Sequence, residues 1–238
     1  MDRLGANFQR VVADMRAKLG ANAFPVQLPI GAEDHFSGVI DLVRMRALSY
    51  DDATLGAKVV ESAIPAELAA DAEKARAELV EAVAEKDEQV LEAFLDGVDV
   101  AADVLIGGIR RAVIGGEMVP VLCGSSLKNK GVQQLLDAVV DFMPSPLDVP
   151  PIEGTNPRDG SSVQRAADDS ADLSGLVFKL ARDPYIGRLA FVRVYSGQLR
   201  KGQNVFNPRI KKRERILKLI RLHANDRTEV DALYSGEI

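Results

Sequence analysis

Few side chains in this 238-residue chain are spaced for chemistry of their own. The two histidines, His35 and His223, lie far apart, and no acid–His spacing resembles a ligand motif, so no metal site is expected. Cys123 closes an apolar run and reads as a buried structural thiol rather than a nucleophile. The carboxylate pairs Asp51–Asp52 and Asp168–Asp169 sit in turn-like or linker sequence, where they are expected to be solvated. No Gly-x-x-x-x-Gly-Lys-Ser/Thr loop occurs, so a phosphate cradle of that kind is absent from the sequence. Three features remain. Asp2 stands in "MDRLGANF", a polar turn in "CGSSLKNKG", and five bases, Arg209, Lys211, Lys212, Arg213 and Arg215, crowd one stretch. Taken singly, Asp2 would cap a helix, the Gly-Ser-Ser turn would be a loop, and the bases a solvated hairpin or a phosphate contact.

The elements that must position these residues are partly visible. Gly5 to Leu19 carries Phe8, Val11, Val12, Met15 and Leu19 on one helical stripe that stops at Gly20. "NAFPVQLPIG" reads as extended, and Val39 to Tyr50 as a strand or short hairpin. Pro65 opens a long amphipathic acidic helix, or two, ending near Gly97. Val100 to Val113 predicts another helix, weakened by Gly107 and Gly108. Met118 to Cys123 suits a buried strand, the Gly-Ser-Ser loop follows, and Val132 to Phe142 is a clean amphipathic helix. Strand, polar loop, helix is the order in which α/β proteins bind ligands beyond a strand's carboxyl end. Residues 144–172, rich in Pro, Gly, Ser and Asp, read as a linker. After it the pattern turns to period two, with turn signals at "DPYIG", "SGQLRKG" and "NP", as in a small β-barrel or sandwich. "RIKKRERILKLIRLHAND" fits strands or a basic helix.

Composition sets outer bounds. Apolar content of 47 % is ordinarily globular, and the length suffices for two cores. One cysteine excludes a disulfide framework and favours a cytoplasmic setting. No signal-peptide pattern or membrane-length apolar run is present. The net charge of −5 conceals a division. Residues 51–100 hold 14 acids against 4 bases, and residues 173–238 hold 14 bases against 6 acids. Such asymmetry suggests two bodies with different partners, the basic one suited to phosphate-rich surfaces.

"MDRLGANF", "PIGAEDHFSGVIDLV", "CGSSLKNKGVQQLLDAVVDFMPSPLDVP", "DPYIGRLAFVRVYSGQLRKG" and "GEI" together resemble bacterial elongation factor G, the ribosomal translocation GTPase. The resemblance runs in order over nearly the whole chain. Met1–Asp2 resembles the last two positions of the family's Asn-Lys-x-Asp signature, and Gly124-Ser125-Ser126 its Gly-Ser-Ala turn, with Ser126 replacing Ala. Guanine offers two parallel donors, N1–H and the 2-amino group, that one carboxylate can accept. The resemblance therefore implies that Asp2 reads those donors and that the Ser126 N–H donates to guanine O6. Ser125 Oγ would orient the Asp2 carboxylate, and Leu127 would flank the base. The expected nucleotide is GTP, with Mg2+ held by residues outside this chain, and no catalytic residue is expected within it.

By the same resemblance the fold is an incomplete P-loop NTPase portion of α/β type carrying an α+β insertion, followed by an all-β barrel. Residues 1–28 and 118–143 would be GTPase-domain pieces, 29–117 the acidic insertion facing the stalk proteins of the large ribosomal subunit, and 173–238 an incomplete barrel leaning on ribosomal RNA. Barrel kinship favours strands over helix in Ile216–His223, and the five clustered bases would contact ribosomal RNA phosphates. The P-loop, both switch regions and the attacking-water histidine would precede Met1, and domains three to five would follow Ile238. Such a chain would be a monomer that alone neither hydrolyses GTP nor binds it well. Two alternatives stay open: a ribosomal-protection or ribosome-recycling relative, and a non-enzymatic ribosome- or RNA-binding module.

Overall fold

Asn7 starts the first helix, its side chain accepting from the Arg10 N–H at 2.9 Å. Helix α1 (Phe8–Leu19) ends where Gly20 turns to φ 63, a left-handed conformation that glycine adopts without strain. Phe8 and Val12 are buried, whereas Val11 and Leu19 on the same stripe are half-exposed or more. The computed structural model describes residues 1–183, 187–224 and 226–238, with Asp52 described through its backbone alone. The chain divides into two units, Met1–Met143 and Pro144–Ile238.

In the first unit, β1 (Ala23–Pro25) follows α1 and leads into β2 (Gln27–Ile30), β3 (Gly38–Asp41), β4 (Arg46–Tyr50) and β5 (Val59–Ser62). These last four form an antiparallel sheet in the order β2-β3-β4-β5. Val39 to Tyr50 is thus the β3–β4 hairpin. Pro65 then precedes α2 (Ala66–Ala84), where a missing N–H costs nothing. Helices α3 (Glu88–Leu95) and α4 (Ala102–Ile114) follow. The helices bury Ala72, Leu79, Val83, Val90, Leu105 and Ile109 in one core with Ile40 and Leu42 of the sheet side. Gly108, which weakens α4 by propensity, is there because a Cβ would lie 2.7 Å from both Val83 and Val90 methyls. Close backbone approach outweighs the helix penalty of about 1 kcal/mol. Strand β6 (Val119–Val121) pairs in parallel with β1 in the register Ala23↔Val119. Helix α5 (Val132–Phe142) completes the unit. Its apolar stripe is only partly covered: Phe142 is buried, while Leu135, Leu136, Val139 and Val140 are about half-exposed or more.

The second unit corrects the expectation of a linker over 144–172. Within that stretch β7 (Ile152–Thr155) and β8 (Ser162–Arg165) form an antiparallel hairpin. Its flanks are held by the strands that follow: the Gly197 N–H donates to Asp168 O at 2.8 Å, and the Ser196 hydroxyl to Asp172 O at 2.7 Å. Pro146 packs so tightly under Gly236 that a Cβ there would lie 2.4 Å from the ring. Proline- and glycine-rich composition marks turns, but these turns are packed. The unit continues with β9 (Ser174–Asp183), β10 (Gly187–Ser196), β11 (Leu199–Arg200), β12 (Asn204–Asn207), β13 (Lys212–Arg215), β14 (Leu219–His223), β15 (Asp226–Val230) and β16 (Ala232–Leu233). The turn signal at Pro184–Ile186 lies outside the described residues. Where a basic helix is the other fit, the described residues form β13, β14 and the start of β15.

Among the described residues these strands pair as separate two-stranded ladders, β9 with β10, β11 with β16, β12 with β13 and β14 with β15, around Val194, Leu199, Leu219 and Leu233. The layout is mixed α/β followed by a β-rich unit. Among the described residues, no helix is long and apolar enough to cross a membrane.

Candidate functional site

The β6–α5 loop is built for close backbone approach. Ser125 and Lys130 exchange backbone hydrogen bonds at 2.8 and 2.9 Å, and the Asn129 N–H donates to Ser126 O at 3.2 Å, so residues 125–130 form a tight hairpin-like loop. Gly124 is required there, because a Cβ would lie 2.6 Å from Lys130 O. Ser125 is buried, whereas Ser126, Leu127 and Lys128 are exposed at the loop's crest.

The chain's first residues lie against this loop. The Met1 nitrogen donates to Gly124 O at 2.6 Å, and the Asp2 side chain is only 12 % exposed. Asp2 does not cap α1, which Asn7 does. Its carboxylate instead accepts a hydrogen bond from the Ser125 hydroxyl, which holds its pKa below the ordinary carboxylate value. Its own backbone N–H adds to that effect, burial opposes it, and Lys128 contributes least. The Ser125 oxygen also accepts from the Lys128 N–H at 3.3 Å. Asp2 is therefore an ionised, oriented acceptor at neutral pH. The Ser126 N–H, a few bonds away, donates to no described group.

The sequence gives no sign of Glu33, which also belongs to this constellation. It sits at φ 55, its N–H donates to Met1 O at 2.9 Å, and its carboxylate accepts from the Gly5 N–H at 2.6 Å. No periodicity or motif marks it.

The five bases lie elsewhere, on the β12–β13 hairpin. All are exposed, and none forms an ion pair among the described residues. Arg213 stands across from Phe206 and Arg215 from Asn204 on one face, while Lys212 stands across from Asn207 on the other. Arg209 and Lys211 occupy the connecting turn, so the tip is basic on both faces.

The remaining candidates do not converge. His35 and His223 are exposed, and no group of three His, Cys, Asp or Glu side chains comes together among the described residues. Burial pushes the Cys123 thiol up to about 12, well away from a reactive thiolate. Asp51 accepts from the Ala53 N–H at 2.9 Å, and Asp168 from the Ser170 N–H at 2.8 Å, as turn-forming acids do. The Asp52 side chain lies outside the described residues.

Residues 1–145 match the family described as Elongation factor Tu GTP binding domain, and residues 172–238 match Elongation factor G domain 2. Among solved structures, a protein from Thermus thermophilus is similar over 98 % of this chain, with 26 % identity and a TM-score of 0.74. This chain spans 32 % of that protein's length.

Proposed function

The chain belongs to the family of the elongation factor Tu GTP-binding domain, and on that premise we propose that it is part of a translational GTPase of the elongation factor G type. The observation that carries the reading is that the Met1 nitrogen bonds to Gly124 O at 2.6 Å, which brings Asp2, with its Ser125-lowered carboxylate, to the Gly124-Ser125-Ser126 turn. Guanine N1–H and 2-amino donors pair with the two carboxylate oxygens, and the Ser126 N–H donates to O6. Adenine carries a donor where guanine has O6 and lacks the N1 donor, so both contacts reject it. Gly124 lets the loop close, and Leu127, exposed at the crest, covers an edge of the base.

In this reading the nucleotide is GTP, and the parent protein couples its hydrolysis to movement of tRNA and mRNA through the ribosome in the cytoplasm. Mg2+ would neutralise the triphosphate there; no group of three His, Cys, Asp or Glu side chains among the described residues could hold it. The residues of this chain bind and select the base, and hydrolysis is not ascribed to any of them. The β-rich unit serves as a barrel-type second domain whose β12–β13 tip meets ribosomal RNA phosphates. The acidic outer face of α2, with Glu67, Asp71, Glu78 and Glu81 exposed, is turned to the large-subunit stalk proteins. The protein acts as a monomer. A ribosome-recycling or ribosomal-protection relative shares this site, so the nucleotide test does not separate them and a translocation assay does.

The test joins a phosphate-binding segment of the same family ahead of Met1 and titrates GTP and XTP against that protein and its Asp2→Asn form. Xanthine carries a carbonyl where guanine has its amino group, so an Asn amide can donate to it. The expected result is a loss of GTP affinity of roughly two orders of magnitude or more, with preference passing to XTP. Full GTP affinity in Asp2→Asn, with no gain for XTP, overturns the reading.

A further inference from the structure

The base loop is braced by more than its own backbone hydrogen bonds. Two turns from the 29–117 segment press on it from outside, one against each half of the site. On the Asp2 side, Glu33 ties the Met1 carbonyl and the Gly5 N–H at 2.9 and 2.6 Å, bracketing the residue between them. On the loop side, the turn between β4 and β5 lies directly under residues 128–129. The Asn129 side chain donates to Leu55 O at 3.3 Å, and Gln133, one residue into α5, donates to Gly56 O at 3.1 Å. Gly56 sits at φ +74, and a Cβ there would lie 2.5 Å from Asn129 O and 2.8 Å from Lys128 O. Those are backbone atoms, which cannot swing aside as a flexible side chain can. The Tyr50 hydroxyl, at the end of β4, donates to Gln134 at 2.8 Å and fixes the same strand to the start of α5.

We infer that Leu55–Gly56 and Asn129 are positioning residues that mould the guanine loop from the insertion, so that displacement of the β4–β5 turn changes affinity for the base. The inference rests on the guanine reading given above. None of these residues touches the base. The turn dictates where the Ser126 N–H points, because the path from Lys128 to Lys130 is wedged between Gly56 and Ser125. Glu33 acts the same way on Asp2. The sheet β2-β3-β4-β5 supplies both turns, so one rigid element sets both halves of the site.

The test uses the 238-residue chain in solution, labelled for amide NMR, as wild type, Gly56→Ala and Asn129→Ala. Without nucleotide, both variants should shift the Ser125–Lys130 amides and speed their hydrogen exchange at least about tenfold, with Leu79, Leu105 and Ile109 in the helical core unchanged. The Asp2 carboxyl should titrate closer to an ordinary aspartate as the Ser125 hydroxyl moves off it. GDP and ADP, the probes added next to the same three proteins carrying the family's phosphate-binding segment ahead of Met1, should shift the Ser126 and Leu127 amides of the otherwise wild-type protein with a preference for GDP that falls at least about tenfold in both variants. Loss of preference in a folded variant is not what general destabilisation produces. If Gly56→Ala does not fold, Asn129→Ala carries the same readouts, with Asn129→Gly, which removes the bond to Leu55 and tolerates the left-handed backbone at φ 53, as the control for strain. Unchanged 125–130 amides in Asn129→Ala overturn the positioning role. Loops that move in the variants while GDP shifts nothing in the otherwise wild-type protein carrying the phosphate-binding segment overturn the guanine reading, and the role with it, leaving a packing contact.

Discussion

Asp87 and Arg111 are joined through a carboxylate that does two jobs. Asp87 caps α3 by accepting from the Val90 N–H at 3.1 Å, and the same group takes a two-pronged contact from the Arg111 guanidinium on α4, one prong at 2.9 Å. The Arg111 hydrogen bonds hold the Asp87 carboxyl below its ordinary value, against the cost of burial. A carboxyl lowered on folding adds stability above its unfolded pKa, and that stability is lost as pH falls through the folded value. The thermal midpoint of the first unit should therefore begin to drop below about pH 4. Asp87→Ala should cost about 2–3 kcal/mol at pH 7, from a lost cap and an unpaired guanidinium. Its deficit against the wild type should shrink in acid. A deficit constant from pH 7 to pH 2, measured by thermal unfolding, counts against the pair.

Gly108→Ala tests the contact between α4 and the other two helices. Helix propensity alone favours alanine by about 1 kcal/mol. With a Cβ only 2.7 Å from Val83 and Val90, overpacking should dominate and leave the variant about 1–3 kcal/mol less stable. Adding Val83→Ala should recover part of that loss, as measured by urea denaturation. A more stable single variant shows that the helices relax apart freely.

Cys123 should be inert in the folded chain. With its thiol pushed up to about 12 by burial, iodoacetamide at pH 8 should alkylate it far more slowly than a free cysteine, and urea should restore the ordinary rate. Rapid native-state alkylation, followed by mass spectrometry, contradicts the burial.

Reversing Lys211, Lys212 and Arg213 to Glu should leave the fold intact, because all three are exposed and free of described ion pairs. Binding to ribosomes should weaken, and its logarithmic salt slope should flatten by roughly 0.7–0.9 for each phosphate no longer neutralised. An unchanged slope in a binding titration from low to moderate salt overturns the proposed contact between the hairpin and RNA phosphates.

Arg76 gathers four acceptors: the Leu42, Val43 and Val100 carbonyls at 2.7–2.8 Å and the Asp99 carboxylate at 3.0 Å. Lysine cannot reproduce that fork. Arg76→Lys should cost about 2–4 kcal/mol by leaving carbonyls unpaired. A loss under about 0.5 kcal/mol, the size of an ordinary surface change, shows that water replaces it.

Local pattern was enough for what local physics decides. The 3.6-residue stripe and a glycine before it place α5 from Val132 to Phe142, and Pro65 announces α2, because periodicity and capping act within a few residues. The shift to period two after residue 172 marks the β-rich unit for the same reason. The pairing of Asp2 with the Gly-Ser-Ser turn is legible in the sequence only through a family resemblance.

Tertiary structure alone decided the rest. It brought Asp2 to Ser125 across more than a hundred residues and gave the helix cap to Asn7 instead. The hairpin inside residues 144–172 arose because packing against Gly197 and Gly236 overrides a turn-rich composition. Ile216–His223 became extended because β14 found a partner in β15, a choice its own apolar and basic residues leave open. Glu33 and Gly56 had no local signal at all. Their conformations matter only against the backbone atoms that face them, and a linear sequence does not say which atoms those are.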